Sequence, residues 1–326
     1  RHSPRMRHAL WTRHPLQAPD FAHSFTASSP LSPLAKPLPA AHTRGFVQIQ
    51  DGCDNRCAYC IVTVARGPSR SRSPEKVLSE IEVRLAEGFQ EIVLTGVDVA
   101  AYGQDRGDGA VLKPEQGWSL PRLVAEILKR TDLPRLRLSS IEPWDVTPEL
   151  LALWPNPRLC RHLHLSLQSG CDATLERMRR RYDTGYYRDV IEAIRKRIPD
   201  VGLSTDVMVG FPGESAGEFE KSLRFVEDVG FSRLHVFKYS RREGTLAADM
   251  SQQVSPRVAN ERSRRMRMLG ERLSQAFCRR VVSVELPVLF EQVEEADRER
   301  IWSGWTDNYV RVRVSSPHDL QNRIES

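Results

Sequence analysis

The stretch GFVQIQDGCDNRCAYC (residues 45–60) joins a short β-rich run to a loop that carries three cysteines. Residues 46–50 are predicted to form a strand, and Cys53, Cys57 and Cys60 follow it with C-x3-C-x2-C spacing. Parallel α/β folds build their sites in loops at the carboxyl ends of strands. Closely spaced thiolates are soft ligands, so this loop is predicted to hold a metal ion or an iron–sulfur cluster.

The same three cysteines leave two kinds of metal centre open. A structural zinc ion needs four ligands, usually with paired spacings, and only three donors cluster here. His42, Cys160 or Cys171 could supply a fourth, but the sequence holds no second cysteine pair. A [4Fe–4S] cluster held by three cysteines leaves one iron open for a ligand, which suits catalysis. We therefore favour the cluster, and interpret Cys160, Cys171 and Cys278 as ordinary thiols.

Short β-rich runs alternate with longer amphipathic runs from Gly45 onward. This alternation is typical of βαβ units in an α/β fold with a parallel sheet. Strands are predicted at residues 46–50, 91–95, 135–140, 162–168, 203–209 and 233–238. Helices are predicted at residues 74–87, 120–130, 148–154, 186–198 and 216–229. Six repeats favour an open six-stranded (βα)6 partial TIM barrel, and a doubly wound sheet is the alternative.

The composition is that of an ordinary globular protein of 326 residues, with 40 % hydrophobic and 28 % charged residues and a formal net charge of +6. A chain of this length can bury a core without disulfide bonds. No apolar run approaches the ~18 residues that span a bilayer, so no membrane partner is expected. Six cysteines are too few for a disulfide scaffold, and no secretory leader is visible. A reducing, cytoplasmic location is predicted.

Three regions differ in composition. Residues 1–44 contain seven prolines, six bases and one acid, which predicts a disordered segment rather than a targeting signal. Residues 45–280 hold the α/β repeats and a trailing basic helix. Residues 281–326 are β-rich and are predicted to form a small C-terminal β-barrel module.

The last module contains an alternating strand. Its valines are predicted to face a core, and its other side chains to form an exposed face that suits RNA, because bases stack on aromatic rings and phosphates attract guanidinium groups. The buried set is Val310, Val312 and Val314, and the exposed set is Tyr309, Arg311 and Arg313. The tail carries nine acids and five bases, so any binding of RNA would be local to that face.

Two other stretches are rich in arginine. The run Arg177, Arg179, Arg180 and Arg181 is predicted to be a solvated helix face, with RNA contact as the second interpretation. A helix predicted at residues 256–280 contains eight arginines and two glutamates. For this helix a solvated face and a nucleic-acid contact stay equally open.

Seven motifs can be compared with known families. They are QDGCDNRCAYCIVTVARGPSRSR (50–72), LTGVDVAAYG (94–103), RLRLSSIEP (135–143), HLHLSLQSGCDATLERMRRRY (162–182), TDVMVGFPGES (205–215), YSRREGT (239–245) and GWTDNYVRV (304–312). Together they resemble the radical S-adenosylmethionine (radical SAM) superfamily, and within it the methylthiotransferases. The second loop and the SSIEP segment are most similar to the branch that acts on threonylcarbamoyladenosine in tRNA. The last motif resembles a TRAM domain, so the likeness covers about residues 44–326.

The resemblance implies a reaction and its cofactors. Cys53, Cys57 and Cys60 would bind one [4Fe–4S] cluster, whose open iron chelates S-adenosylmethionine (SAM). Reductive cleavage of SAM, driven by a flavodoxin- or ferredoxin-like electron donor, would give a 5′-deoxyadenosyl radical. The substrate would be N6-threonylcarbamoyladenosine beside the anticodon of tRNA, converted to its 2-methylthio derivative. A radical suits this step because the C2–H bond of adenine is too weakly acidic for a side-chain base.

Further cofactor contacts are predicted near the ends of the strands. By resemblance, Tyr59 would lie near the adenine, Thr95 and Gly96 near the methionyl amine, and a glycine there would let the backbone approach closely. Gly210 would approach the adenine from another loop. Polar side chains at the carboxyl ends of strands usually face a site. This second set is Ser140, Glu142, Ser166, Gln168 and Asp206.

The sequence departs from the family in one respect. Methylthiotransferases of this type carry an N-terminal domain with three more cysteines for an auxiliary cluster, and residues 1–44 contain none. We expect a truncated sequence, or else a protein that has lost the reaction, so this chain is expected to cleave SAM without inserting sulfur. A last strand is also expected to be missing after Leu320. The alternatives are a methylthiotransferase for another tRNA adenosine or a ribosomal protein, and a non-catalytic RNA-binding remnant.

Overall fold

The computed structural model describes residues 43–105, 112, 116–296 and 299–326. The predicted disorder of residues 1–42 therefore lies outside the described residues. The first strand begins at Arg44 rather than at residue 46. In the described ranges, no helix combines the length and the apolar composition that crossing a bilayer requires.

The central sheet is parallel and consists of two hydrogen-bonded segments. One segment has the strand order β1-β4-β5 and the other has the order β6-β7-β8-β9. The bounds are β1 (Arg44–Gln48), β4 (Glu91–Thr95), β5 (Arg135–Leu138), β6 (Ser140–Ile141), β7 (His162–Leu165), β8 (Gly202–Val209) and β9 (Arg233–Lys238). A small antiparallel pair, β2 (Gln50–Asp51) and β3 (Arg70–Ser71), lies beside β1 in the chain.

The two segments are joined because β5 and β6 are parts of one strand interrupted at Ser139. The Ser139 amide still donates to the Leu94 carbonyl of β4 at 3.0 Å, whereas Ser140 pairs with His164 of β7. Leu136 also exchanges hydrogen bonds with residues just before β7. β1 and β9 remain at the two ends of the strand order. The predicted open partial barrel of six strands is confirmed.

The helices connect successive strands. Their bounds are α1 (Val62–Arg66), α2 (Pro74–Ala86), α3 (Leu120–Arg130), α4 (Pro148–Leu151), α5 (Asp172–Arg177), α6 (Thr184–Arg197), α7 (Ala216–Val229) and α8 (Pro256–Arg280). α7 starts at a capping box, in which Ser215 and Glu218 satisfy each other's backbone amides. α4 is three residues shorter than predicted, and the short α5 was not predicted from the sequence.

The strands present apolar residues to the helices and polar residues to the inside of the barrel. In β5 and β7 the leucines are fully or almost fully buried in the main hydrophobic core. Burial of each such side chain contributes about 1.5–3 kcal/mol. The alternate positions, Arg135, Arg137, His162 and His164, face the opposite side, which is the lumen of the barrel.

The C-terminal module is an antiparallel sheet with the strand order β12-β11-β10-β13. Its strands are β10 (Val288–Ala296), β11 (Glu299–Thr306), β12 (Arg311–Ser315) and β13 (Ile324–Glu325). Val288, Phe290 and Trp302 form its small core. This curled sheet is consistent with the predicted small barrel module.

The module is fixed to the barrel by charged contacts. Arg161 binds the Asp307 carboxylate at 2.6 Å, and the Arg137 guanidinium donates to the Asp307 carbonyl at 3.1 Å. Arg44 pairs with Glu291 at 2.6 Å. Arg137 also binds the buried Glu91, whose pKa is lowered by the two arginines around it against the opposing effect of burial.

The exposed position predicted for Tyr309 is wrong. β12 begins only at Arg311, and Tyr309 belongs to the preceding turn with a φ of 69°. Its ring stacks between His162 and Trp305 at 4.6 and 4.7 Å, so it is not free to stack on a base. The predicted alternation fails in the same place, because Thr306 and Val310 bound a hydrogen-bonded turn and the regular strand starts only after it.

The residues of β12 follow the prediction in part. Arg311 and Arg313 are exposed, as expected, and Arg313 pairs with Glu294 at 2.6 Å. Val312 is half-buried, but Val314 is 39 % exposed rather than part of a core.

Candidate functional site

The cysteine loop lies between β2 and α1 and is held by backbone hydrogen bonds. The Cys53 amide donates to the Gly67 carbonyl at 3.1 Å. Gly52 has a φ of +72°, and a Cβ there would lie 2.0 Å from the Pro68 carbonyl oxygen, so a larger residue does not fit. The Ala58 amide donates to the Met178 carbonyl at 2.9 Å, and its own carbonyl accepts from Ala247. The loop therefore has a fixed shape.

Cys53 and its neighbours form a polar cluster on one side of the loop. The Asn55 amide donates to the Cys53 sulfur at 3.4 Å, and the Asn55 side chain donates to Asp98 Oδ2 at 2.9 Å. The Cys53 thiol itself lies 3.7 Å from the same carboxylate oxygen. Burial, with smaller contributions from Asp98 and Cys57, raises the pKa of Cys53 to about 11.

The three thiols fit an iron–sulfur cube better than a single ion. All three are half-buried and free. Cys57 raises the pKa of Cys53, and Cys60 raises that of Cys57, so the sulfurs are close enough to interact. They do not, however, form a set of donors within 4.8 Å of one another, as ligands of one ion would. In a cube each thiolate binds its own iron, and the positive metal offsets the burial that disfavours thiolates.

Arg180 lies against this loop, contrary to the prediction of a solvated face. Its Nη1 donates to the Cys57 sulfur at 3.1 Å, and its Nη2 pairs with Glu142. The guanidinium is buried and lies 5.1 Å from the ring centroids of both Trp144 and Tyr182, which also contact each other. Burial raises the pKa of Cys57, whereas the Arg180 charge lowers it. Arg180 thus favours the thiolate that a metal needs.

The rest of the arginine run is placed differently. Arg177 pairs with Glu218 of α7 at 2.8 Å. Arg179 and Arg181 are exposed, as predicted. The spacing of the arginines did not distinguish Arg180 from its neighbours. α5 ends at Arg177, so Arg179, Arg180 and Arg181 lie outside the helix and follow no helical period.

The two glycines predicted to approach a cofactor are each packed against protein. A Cβ on Gly96 would lie 2.9 Å from the Gln50 carbonyl oxygen. Gln50 uses its side chain to accept from the Asp98 amide at 2.8 Å, which ties the second loop to the cysteine loop. Gly210 has a φ of +74°, donates to Glu214 at 2.7 Å, and has no room for a Cβ beside Ala259. The close packing around each position accounts for the glycine, so no ligand is needed to explain it.

The remaining predicted residues are spread over the barrel. Thr95 ends β4, and Ser140 is exposed at the start of β6. Ser166 is buried, and Gln168 adopts a φ of 64° that lets its amide donate to the Asp206 carbonyl at 2.8 Å. The Asp206 side chain lies among histidines in the lumen.

Tyr59 packs in an apolar cluster. Its ring meets Phe211 edge-on at 6.4 Å, beside Ala58, Met178 and Ala247.

Buried polar atoms without partners mark where a polar ligand fits. Among the described residues, Asp98 Oδ1, Ser139 Oγ, Asp145 Oδ2 and Tyr239 Oη have no hydrogen-bond partner. Ser139 directly follows β5, and Asp98 lies three residues after β4, where its other carboxylate oxygen contacts Cys53 and Asn55. Buried polar atoms in proteins are normally paired with protein groups, ordered water or a ligand, so Asp98 Oδ1 and Ser139 Oγ are available to water or to a polar ligand. Sequence reasoning did not single out either residue, although Asp98 lies inside the motif LTGVDVAAYG (94–103) and Ser139 inside RLRLSSIEP (135–143).

The sequence profile of the radical SAM superfamily matches residues 47–226 of the chain. The chain belongs to the radical SAM superfamily.

Comparison with curated proteins shows similarity to particular members of the superfamily. The chain is 36 % identical over 285 residues to the threonylcarbamoyladenosine tRNA methylthiotransferase MtaB of Bacillus subtilis (strain 168), covering 86 % of this chain and 61 % of that protein. The MtaB of Thermotoga maritima is 38 % identical over 271 residues, with 82 % and 59 % covered. The tRNA-2-methylthio-N(6)-dimethylallyladenosine synthase of Staphylococcus aureus (strain Newman) is 33 % identical, with 86 % and 53 % covered. The chain thus spans about three-fifths or less of these relatives.

A solved structure supports the fold. The radical S-adenosylmethionine methyltransferase TsrM of Kitasatospora setae superposes with a TM-score of 0.51 at 17 % identity, over 63 % of this chain and 38 % of that one. At this identity the likeness concerns the fold alone.

Cys53, Cys57 and Cys60 are the residues of this chain that would hold the [4Fe–4S] cluster of the radical SAM superfamily. When bound, the cluster and SAM supply a carbon-centred radical. The protein's own contribution is to fix the loop backbone at Cys53 and Ala58 and to place the Arg180 cation beside the anionic sulfur.

Proposed function

We propose that this chain carries the radical step of a tRNA methylthiotransferase that acts on N6-threonylcarbamoyladenosine beside the anticodon. The observation that carries the proposal is the three-thiol loop at the open end of the barrel, in a chain similar along 82–86 % of its length to two MtaB proteins. The motifs of the second and third loops support the same branch.

The reaction needs a radical because the target is an unactivated C–H bond. The thiols are half-buried, and Cys53 contacts the buried Asp98 of the loop after β4. That arrangement suits a cofactor whose reactive carbon must meet the C2 hydrogen of adenine with little water present. A flavodoxin- or ferredoxin-like protein would supply the electron, and the tRNA substrate and free thiols suit the cytoplasm.

We further expect these 326 residues to activate the C–H bond without inserting sulfur on their own. Beyond the loop, the chain has three more cysteines, at positions 160, 171 and 278. Cys160 is buried beside Glu91, Cys171 is buried at the start of α5, and Cys278 is exposed near the end of α8. They do not make a second set of three thiols.

Contacts with tRNA would come from basic side chains that face solvent. Ion pairs within the described residues already occupy four of the eight α8 arginines, namely Arg262, Arg265, Arg272 and Arg280. The charge left for RNA on α8 is therefore smaller than the sequence suggests. Exposed Arg311 on β12 extends the basic surface, whereas Arg313 is paired with Glu294, and the contribution of this strand stays local because the module is acidic.

The proposal is tested by hydrogen transfer from the substrate. Purified protein with a reconstituted cluster, SAM and a reductant is given tRNA whose threonylcarbamoyladenosine carries deuterium at C2. We expect 5′-deoxyadenosine containing one deuterium, and none with the Cys57→Ala variant. Unlabelled 5′-deoxyadenosine would mean that another hydrogen is taken and would contradict this substrate. Complete failure to cleave SAM, with salt-sensitive tRNA binding, would favour a non-catalytic RNA-binding protein.

The similarity to the dimethylallyladenosine synthase of S. aureus supports a second candidate substrate. The same assay is therefore run with tRNA that carries C2-deuterated dimethylallyladenosine. Faster deuterium transfer from this tRNA than from the threonylcarbamoyl form would favour the second candidate.

A further inference from the structure

Three side chains of metal-binding types meet inside the barrel, on neighbouring strands. His164 lies on β7, Asp206 on β8 and His235 on β9. Asp206 is paired in register with His235, and Ser204, two residues earlier on the same face, is paired with His164. Because side chains on paired residues point to one face of a sheet, all three project into the lumen.

The donor atoms have the spacing of a common ion. His164 Nε2 lies 3.3 Å from Asp206 Oδ1, and His235 Nδ1 lies 3.8 Å from the same oxygen. All three donors fall within 4.8 Å of one another. Two ligands that each bind a tetrahedral zinc ion at its usual bond length stand about 3.4 Å apart. An ion could therefore enter with little movement of the side chains.

His164 has the surroundings of a ligand rather than of a hydrogen-bonded core residue. It is 8 % exposed, yet its Nε2 makes no hydrogen bond of acceptable geometry. Its other nitrogen, Nδ1, lies 3.0 Å from the Ser204 hydroxyl, which also contacts His162. Metal-binding histidines commonly use their second nitrogen in this way, which fixes the ring orientation.

We propose that His164, Asp206 and His235 bind a divalent ion of the late first transition row, such as Zn²⁺ or Fe²⁺, at a site separate from the three thiols. Two imidazoles and one carboxylate are a ligand set that suits these ions. Three protein ligands leave an open position, which faces the lumen and fits an oxygen atom of a bound molecule. This inference does not depend on the proposed substrate.

The test uses Co²⁺ as a spectroscopic probe. The starting protein is the full chain with Cys53→Ser, Cys57→Ser and Cys60→Ser, so that thiolates do not compete. We expect one equivalent of Co²⁺ with visible absorption typical of nitrogen and oxygen ligands, and displacement by Zn²⁺ in calorimetry. Added to this background, His235→Ala and Asp206→Asn should each weaken Co²⁺ binding at least tenfold.

Two controls keep the result interpretable. His318→Ala removes an exposed histidine of the C-terminal module and should leave Co²⁺ binding unchanged. Thermal melts check that every variant is folded, and His235 is exposed on a strand at the end of the sheet, where truncation is tolerated. The proposal is overturned if the background protein binds no Co²⁺, or if His235→Ala binds it as tightly as His318→Ala does.

Discussion

The buried arginine beside the cysteine loop offers the sharpest perturbation. Arg180→Met removes the cation that pairs with Glu142 and donates to Cys57, while keeping most of the side-chain volume. Removal of one partner of a buried ion pair costs about 3 kcal/mol or more, because the other charge is left uncompensated. For a domain of this size, such a loss lowers the melting temperature by roughly 6–12 °C.

The sign of two pH effects follows from the same contacts. Arg180 lowers the pKa of both Cys57 and Glu142 against burial. Without Arg180 both pKa values should rise, so Cys57 should be alkylated more slowly at a given pH. Glu142 can then relieve its isolation by taking up a proton, so the loss of stability should be larger at pH 8 than at pH 6.

The assay combines melting curves with residue-resolved alkylation by mass spectrometry in the metal-free protein. Arg177→Met is the matched control, since it comes from the same arginine run but pairs with Glu218 of α7 and not with the thiol loop. It should cost about 1 kcal/mol or less and leave Cys57 alkylation unchanged. The double variant Arg180→Met with Glu142→Leu should regain most of the stability. The reasoning is refuted if Arg180→Met melts like Arg177→Met and alkylates Cys57 at the wild-type rate.

Other perturbations test separate parts of the structure. Gly96→Ala places a methyl group 2.9 Å from a backbone oxygen and should lower the free energy of unfolding, measured by chemical denaturation, by about 1–3 kcal/mol. Gly217→Ala is the control. Its methyl group meets nothing within 4 Å and should stabilise α7 by about 0.5–1 kcal/mol. Burial, with Asp98 and Glu142, raises the pKa of Asp145 to about 7, so its ionisation opposes folding and stability should fall as the pH rises from about 4 to 7. Asp145→Asn should flatten that part of the stability profile, and an unchanged slope would disprove the raised pKa of Asp145. Tyr309→Ala removes a ring stacked on both sides and should cost about 3 kcal/mol and expose the module to proteolysis, while truncation of the exposed Tyr186 should do neither.

Much of the barrel could be predicted because its strands and caps follow local rules. The runs RLRL and HLHL alternate in polarity with a period of two, and this alternation separates a polar lumen from an apolar face under the helices. The capping box at Ser215 marks the start of α7 at the residue where the helix begins. Cys53, Cys57 and Cys60 lie in the predicted loop because they directly follow the first strand.

Other features depend on contacts between distant parts of the chain. Arg180 reaches Cys57 across 123 positions, and no local pattern distinguishes it from the exposed Arg179. Tyr309 leaves its expected face because a turn with a left-handed residue precedes β12. The histidines of the lumen become neighbours only through the register of β7, β8 and β9.

The most direct measurement concerns the metal content of the cysteine loop. Anaerobic reconstitution with iron and sulfide, followed by iron and sulfide analysis and electron paramagnetic resonance of the reduced protein, should give one [4Fe–4S] cluster per chain. Addition of SAM should change the resonance spectrum, because one iron has no cysteine ligand. Cys57→Ala should lose the cluster. A colourless protein that holds one zinc ion, or a Cys57→Ala variant with the same iron content, would contradict the assignment.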